Sequence, residues 1–334
     1  MAEQLQHYVP RFLLRRFGHD RELLYVMDKH TGRQFQISTS RRSSVEIAAE
    51  RGMYDFEFMG TPMTLEPALA ALEAGAASMI ERIVRDRTLD HSRPQERATL
   101  AGFLAVQMVR TRAAWTTHQD FFERMGAWLR REGAPDDFFE PDPLVGGGEN
   151  AQRALRAKIM CNAPADFGRA IAEKDWVLLE TEGAGPYLMG DHPLTLFNQI
   201  DRWPRGNLGV KVKGIELYFP LSPTLALAMW CPSIQKQLVD GFKRLDQLSE
   251  HAPHIAIHFR EAWEDGIRAV EAMRSGKALP NRPDSVTHFN SLQISTAERF
   301  VFSCDGDFAL VEEMIRDNPE LRFGRRLEEA TGKF

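Results

Sequence analysis

Apolar positions recur at two different periods along this chain, and the change from one to the other marks its halves. Tyr8 to Phe17 carries Val9, Phe12, Leu13 and Phe17 near helical period, which predicts a short helix with Pro10 in its first turn and Gly18 ending it. Leu23 to Met27 and Arg33 to Ile37 flank Lys29-His30-Thr31-Gly32, the pattern of a β-hairpin. From Leu65 to Arg87 the positions Leu65, Leu69, Leu72, Ala76, Met79, Ile80 and Ile83 repeat every three or four residues, a long amphipathic helix with Thr64 as its N-cap. A second helical pattern starts at Arg93-Pro94 and runs through Leu100, Phe103, Leu104, Val106, Met108 and Val109 to Trp115, Phe121, Phe122, Met125, Trp128 and Leu129. A single helix of that length is unusual, so a break is expected near Thr116-Thr117. Gly133 to Asn150, with Pro135, Pro141, Pro143, Gly146 to Gly148 and an acidic bias, has little to bury and reads as a mobile loop.

A further helix is predicted over Ala151 to Glu173, and after it the period shortens to that of strands. Asp175 to Glu180, Glu216 to Phe219 and Leu225 to Trp230 read as strands, with turns at Gly183 to Pro186 and Pro220 to Pro223. Ser233 to Leu248 and His254 to Arg274 return to helical period. Asn281 to Asp284 reads as a loop, Phe289 to Arg299 as helix, Phe300 to Ser303 as a last short strand and Phe308 to Arg316 as a terminal helix. No internal repeat is evident. The expectation is an α+β fold, mainly helical, with a small N-terminal hairpin and a mixed or antiparallel sheet in the C-terminal half. Its parts would be residues 1–132, a flexible loop at 133–150 and an α/β part at 151–334, intertwined in one globular unit.

Composition changes the picture little: with 334 residues, 43% hydrophobic and 27% charged, the chain can bury a sizeable core. A net charge of -5 argues against a surface that is nucleic-acid footprint throughout, and leaves a local basic patch at Arg11, Arg15, Arg16, Arg21, Arg33, Arg41 and Arg42. Cys161, Cys231 and Cys304 lie far apart without C-x-x-C spacing, so neither a zinc ribbon nor a disulfide framework is suggested, and a reducing cytoplasm fits best. The opening MAEQLQHYVP lacks the basic start and apolar stretch of a signal peptide. No apolar run reaches the roughly 18 to 20 residues that cross a bilayer, so a soluble, cytoplasmic protein with no membrane partner is expected.

Three separated motifs carry a resemblance. They are His7-Tyr8-Val9-Pro10 leading to Leu14-x-x-Phe17; Gly190-Asp191-His192-Pro193 followed by Phe219-Pro220-Leu221-Ser222-Pro223; and Asn290-x-x-Gln293 leading to Ala297-x-Arg299-Phe300-Val301-Phe302. In this order and spacing, over nearly the whole chain, they resemble the bacterial family catalogued as domain of unknown function 4238. His192 stands where that family's pattern has Asn. The resemblance implies no established activity, substrate or cofactor.

The residues themselves offer chemistry. His7 has a neutral imidazole near pH 7, fit for a general base or metal ligand, or for capping the first helix. Asp191 lies between a strand and a proline, where a carboxylate either serves a site or folds back as an Asx-turn. Glu66 and Glu73 are seven apart and share a helix face, which suits a divalent cation, joint acid/base work or a solvated flank. Gln107 and Arg110 sit one turn apart. Arg110 is suited to a phosphate or carboxylate, or to pairing with Glu66 or Glu73. Asn290 is open to both a chemical and a structural role, and Arg299 reads as structural. His254-x-x-x-His258-x-x-Glu261 places three potential ligands on one helix face, but without the H-E-x-x-H glutamate and outside the family motifs. P-loop, dinucleotide and G-x-S-x-G signatures are absent.

Two functions follow as expectations. The first is a hydrolase, metal-assisted through a divalent ion on Glu66 and Glu73, with His7, Asp191 and Asn290 catalytic and Arg11, Arg110 and Gln107 holding a phosphodiester or nucleotide substrate, nucleic acid included. It requires His7, Asp191 and one of Glu66, Glu73 or Asn290 to converge on one cleft. The alternative is a non-catalytic ligand-binding or protein-interaction protein, in which the motifs are structural corners with satisfied hydrogen bonds.

Overall fold

The computed structural model describes residues 4–18, 22–40, 46–135, 148–200 and 208–324. The chain opens with β1 (Leu5–His7), α1 (Arg11–Phe17) and the hairpin β2 (Leu23–Asp28) and β3 (Arg33–Ser38). Three short strands follow, β4 (Ala49–Arg51), β5 (Asp55–Phe58) and β6 (Thr61–Thr64), then the helices α2 (Glu66–Asp86), α3 (Pro94–Arg110), α4 (Arg112–Arg131) and α5 (Glu149–Ala163). A π-helical turn at Pro164–Gly168 leads to α6 (Arg169–Ala172), β7 (Asp175–Glu180), β8 (Met189–Gly190), β9 (Thr195–Phe197), β10 (Glu216–Ser222) and β11 (Leu225–Trp230). The chain then forms α7 (Pro232–His251), α8 (Pro253–Ala256), a 3-10 turn, α9 (Arg260–Ser275), β12 (Leu279–Pro280), α10 (Pro283–Thr296), β13 (Phe300–Ser303) and α11 (Ala309–Asp317). The α+β class stands.

The largest sheet runs β12-β7-β11-β10-β9, antiparallel except where β12 lies parallel to β7. Its strands are buried on both faces, which is why β10 and β11 read as nearly continuous apolar runs. One face, with Leu178, Leu217, Phe219, Leu227 and Met229, joins the main core with α1, α2 and α3. The other, with Val177, Leu179, Tyr218, Ala226 and Ala228, packs on Met273 of α9 and Phe289 of α10. Within the main core α3 is buried almost all round, from Leu100 to Gln107 and again at Arg110. A helix apolar on every side belongs at the centre of a fold.

A second sheet runs β3-β2-β13-β8, so the N-terminal hairpin is completed by the last strand of the chain: Phe300 pairs with Asp28 and Ser303 with Tyr25. The first helix starts later than its apolar spacing suggests, because Leu5–His7 pairs with β4 and Pro10, in an extended conformation, is its N-cap. The break in the long helical stretch falls at Thr111 rather than Thr116-Thr117; Thr111 is extended and its hydroxyl accepts from Ala114 N–H, capping α4. Leu65, not Thr64, is the N-cap of α2, and Pro164 to Gly168 turns the predicted helix 151–173 into α5, a π turn and α6. Residues 136–147, the bulk of the expected flexible loop, and Arg21, Arg41 and Arg42 lie outside the described residues. Among the described residues no helix is long and apolar enough to cross a membrane.

Candidate functional site

The opening motif acts through its backbone. The Tyr8 carbonyl accepts from Gln107 Nε2 and from Arg110 Nε, each at 3.0 Å, and Arg110 also donates to Gln107 Oε1 at 2.8 Å. Arg110 pairs with Glu73 Oε1 at 2.7 Å while its own side chain is 1% exposed, and its Nη2 is buried without a partner. Gln6 accepts from Tyr54 N–H at 2.6 Å and donates to Asp55 at 2.8 Å, and the Tyr54 hydroxyl donates to the His7 carbonyl at 3.0 Å. Glu66 and Glu73 do share this neighbourhood: burial first, and then the Glu73 charge, raises the Glu66 pKa. Among the described residues, however, no group of three or more His, Cys, Asp or Glu is placed to hold a metal ion. The His7 side chain lines a small crevice with Arg11, Leu14 and Ile37 to Thr39, where Arg11 donates to the Ser40 carbonyl at 2.9 Å.

The second and third motifs lock onto each other. Asp191 is 1% exposed and accepts three backbone N–H groups, from Glu298 at 2.7 Å, Arg299 at 3.0 Å and Phe300 at 3.1 Å. Burial pushes its pKa up to about 6 against these donors and the nearby Lys29 charge. Lys29, fully buried, donates to the Ile294 and Ala297 carbonyls at 2.7 and 2.6 Å and so closes the C-terminus of α10. Asn290 accepts from Leu188 N–H at 2.8 Å and donates to the Pro186 carbonyl at 3.1 Å; Gln293 accepts from Gly190 N–H at 2.9 Å and donates to the Pro193 carbonyl at 3.0 Å. The two amides give the 186–193 segment the hydrogen bonds a neighbouring strand would give. Gly190 is required here, since a Cβ on it would lie 2.7 Å from the Gln293 carbonyl oxygen. Arg299 pairs with Asp28 at 2.7 Å, the structural role its sequence suggests.

His192 meets Thr111 Oγ1 through Nδ1 at 2.5 Å. That hydroxyl also accepts from Ala114 N–H, so Thr111 ties the imidazole to the start of α4. Enclosure by protein pushes the His192 pKa down to about 4. The His254, His258 and Glu261 set does not share one helix face: His254 lies in α8, His258 in the 3-10 turn and Glu261 in α9.

His7 lines a crevice beside α1, Asp191 is held by the turn before β13 and Asn290 by the segment before β8, with the Tyr8 phenol within electrostatic reach of Asp191. A wider concavity lies over the main sheet. A groove of about 790 Å³ opens over the outer face of the main sheet between α7, α9 and α10, a size that suits a small ligand. Its floor carries Glu216, Tyr218 and Trp230, and its walls include Leu238, Ala269 and Phe289. Glu216 and Tyr218 are two apart on β10 and share a face, and Glu216 is paired across the sheet with Trp230. The Tyr218 hydroxyl donates to Glu216 Oε2, and burial raises the pKa of both groups. Trp230 Nε1 is buried beside the Tyr218 hydroxyl without a hydrogen bond of acceptable geometry. His288, at the mouth, stands edge-on to Phe197 with ring centroids 4.7 Å apart, and burial lowers its pKa. Sequence reading passed over these residues. Their only signal was a Glu and a Tyr alternating in a strand otherwise apolar.

A family model described as "Protein of unknown function (DUF4238)" matches residues 5–307. No curated protein and no solved structure matches the chain.

Proposed function

The chain belongs to the DUF4238 family, whose description names no activity, and from that premise we propose that the protein binds a small ligand in the groove over its main sheet, with the family motifs as the frame that holds this sheet to its neighbours. The observation that carries the reading is the groove itself, about 790 Å³, with a half-buried Glu216 on its floor and an aromatic lining of Tyr218, Trp230 and Phe289. Asp191, Asn290, Gln293, Gln107 and Arg110, by contrast, are committed to backbone groups. Such partners suit a support better than a reacting centre. A ligand-observed NMR fragment screen tests the reading, comparing wild type with Ser285→Trp and Leu238→Trp, each of which places an indole in the groove. Hits lost in both variants are expected; hits retained by both remove the groove from consideration.

One observation favours the hydrolase reading as a second proposal. A carboxyl whose pKa is raised by burial, hydrogen-bonded by a tyrosine in a cleft, is a fit general acid or base, so phosphodiester or nucleotide cleavage would centre on Glu216. A nuclease and phosphatase screen with divalent metal added, on wild type, Glu216→Gln, His7→Ala and Asp191→Ala, tests it. Loss of an activity in Glu216→Gln alone supports it, and loss in His7→Ala and Asp191→Ala alone returns the chemistry to the motifs. A cytoplasmic setting belongs to the same proposal, with Cys161, Cys231 and Cys304 all free thiols.

A further inference from the structure

One position beyond the last pair of β7 and β11, a thiol and an amine face each other. Trp230 pairs with Asp175, so the same antiparallel register sets Cys231 opposite Lys174. Cross-strand neighbours of this kind hold their Cβ atoms about 5 Å apart. Alternation turns both side chains away from the groove face that Trp230 occupies and toward the main core, against which Cys231 packs. The Lys174 backbone is fixed, its carbonyl accepting from Arg97 and its N–H donating to the Ile171 carbonyl at 3.2 Å. Lys174 is 6% exposed, and its ammonium has no hydrogen bond or ion pair among the described residues. A buried cation in that position is costly. Its strongest charge interaction is with Cys231.

The sulfur is set up to carry negative charge. Cys231 is the N-cap of α7, a helix of 20 residues, and so stands at the positive end of the helix dipole. Ser233 Oγ donates to its sulfur at 3.2 Å. Burial by itself would raise the Cys231 pKa, but the Ser233 hydroxyl, the Ser233 and Gly214 N–H groups and the Lys174 charge outweigh it and hold the thiol below its ordinary value. Burial lowers the Lys174 pKa against the Cys231, Glu173 and Asp175 charges, so its proton is given up more readily than that of an exposed lysine. Cys304 is the contrast, its pKa raised by burial and by Asp305. Cys231 also keeps part of its surface in solvent, where a solute can meet it.

We propose that Cys231 is a peroxide-reactive thiolate, with Lys174 as the group that both holds its charge and protonates the departing oxygen. The reactant is hydrogen peroxide or a small organic hydroperoxide. The sulfur attacks the O–H oxygen of the peroxide: an S–O bond forms, the O–O bond breaks, and the leaving hydroxide or alkoxide takes the Lys174 proton and departs as water or alcohol. Sulfur is oxidised by two electrons to a sulfenic acid, the peroxide is reduced by the same two, and Lys174 regains its proton from solvent. Neither side chain lines the groove, so a ligand there is not needed for this chemistry.

The reduced full chain, treated with hydrogen peroxide at pH 7 in the presence of dimedone and read by peptide mass spectrometry, tests this, with Cys161 and Cys304 as controls in the same molecule. Cys231 should be labelled about 10-fold or more faster than either, because an unperturbed thiol is only a few per cent thiolate at that pH. Lys174→Met and Ser233→Ala should each slow its labelling about 3-fold or more by returning thiolate to thiol. Iodoacetamide needs the thiolate but no proton donor, so Lys174→Met should slow the peroxide reaction about 10-fold beyond its effect on alkylation. Equal slowing of the two reactions overturns the proton transfer. Labelling of Cys231 no faster than of Cys161, or unchanged in both variants, overturns the proposal as a whole. Circular dichroism checks that each variant is folded, and Ser233→Ala alone decides the matter where Lys174→Met does not fold.

Discussion

Asn290 is the residue on which the two readings of the family motifs diverge most clearly. Asn290→Leu keeps the volume and removes the amide, leaving Leu188 N–H and the Pro186 carbonyl, now 2.8 and 3.1 Å from the amide, without partners in the interior. A buried polar group left unpaired costs about 1–3 kcal/mol, so the pair costs about 2–6 kcal/mol. The added apolar surface returns about 1–2 kcal/mol of this. The net loss, about 1–4 kcal/mol, is a large share of a stability on the order of 5–15 kcal/mol. In urea, where m for a chain of this size is about 3 kcal/mol/M or more, the midpoint should fall by roughly 1 M. The assay is urea unfolding followed by far-UV circular dichroism, with Gln293→Met run beside it as the same perturbation one turn along α10. Ligand affinity in the groove should be unchanged in whatever fraction folds. A variant as stable as wild type that has lost binding or turnover would refute the reasoning, and would restore Asn290 to a chemical role.

Other consequences can be checked in the same way. Asp191 and His192 titrate in opposite senses: the Asp191 pKa is raised from 3.8 to about 6, so its contribution is present at low pH and lost as pH rises through 6, whereas that of His192 is lowered from 6.5 to about 4, so its contribution is present above 6.5 and lost as pH falls to 4. Thermal melts between pH 4 and 6.5 should show stability rising with pH in Asp191→Asn and falling with pH in His192→Asn, relative to wild type; parallel profiles would show that the two groups do not titrate as described. Gly190→Ala places a Cβ against the Gln293 carbonyl and 3.0 Å from the Ala297 Cβ, and should cost about 1–3 kcal/mol in the urea assay. Glu73→Gln leaves the Arg110 guanidinium buried with a weaker partner; about 2 kcal/mol is expected, less than for a fully buried pair because Glu73 is 26% exposed.

The sequence announced those parts of the fold whose cause is local. The β2–β3 hairpin, α2, α3, β7, β10 and β11 follow from apolar period and turn residues, and the structure has them within a few positions. β4, β5 and β6 were not foreseen, since strands of three or four mostly exposed residues carry little apolar alternation and exist through their pairing. Pro10 fits the first turn of a helix and also the cap before one, so the start of α1 could not be read from it. The motif residues were visible as residues but not as a frame. Nothing local shows that the Asp191 carboxylate ends on amides more than a hundred positions away, or that Lys29 closes α10. The groove was least legible, because Glu216 and Trp230 become neighbours only through the β10–β11 register.

That β13 pairs with β2 has a consequence for how the chain is made. Asp28 leaves the ribosome long before Phe300, its partner in the sheet, and at 5–20 residues per second the interval is roughly 15–55 s. For that time the hairpin has a bare inner edge, Lys29 has no helix to close and Asp28 has no Arg299. The hairpin is therefore a waiting template, which Phe300–Ser303 seals long after it is made.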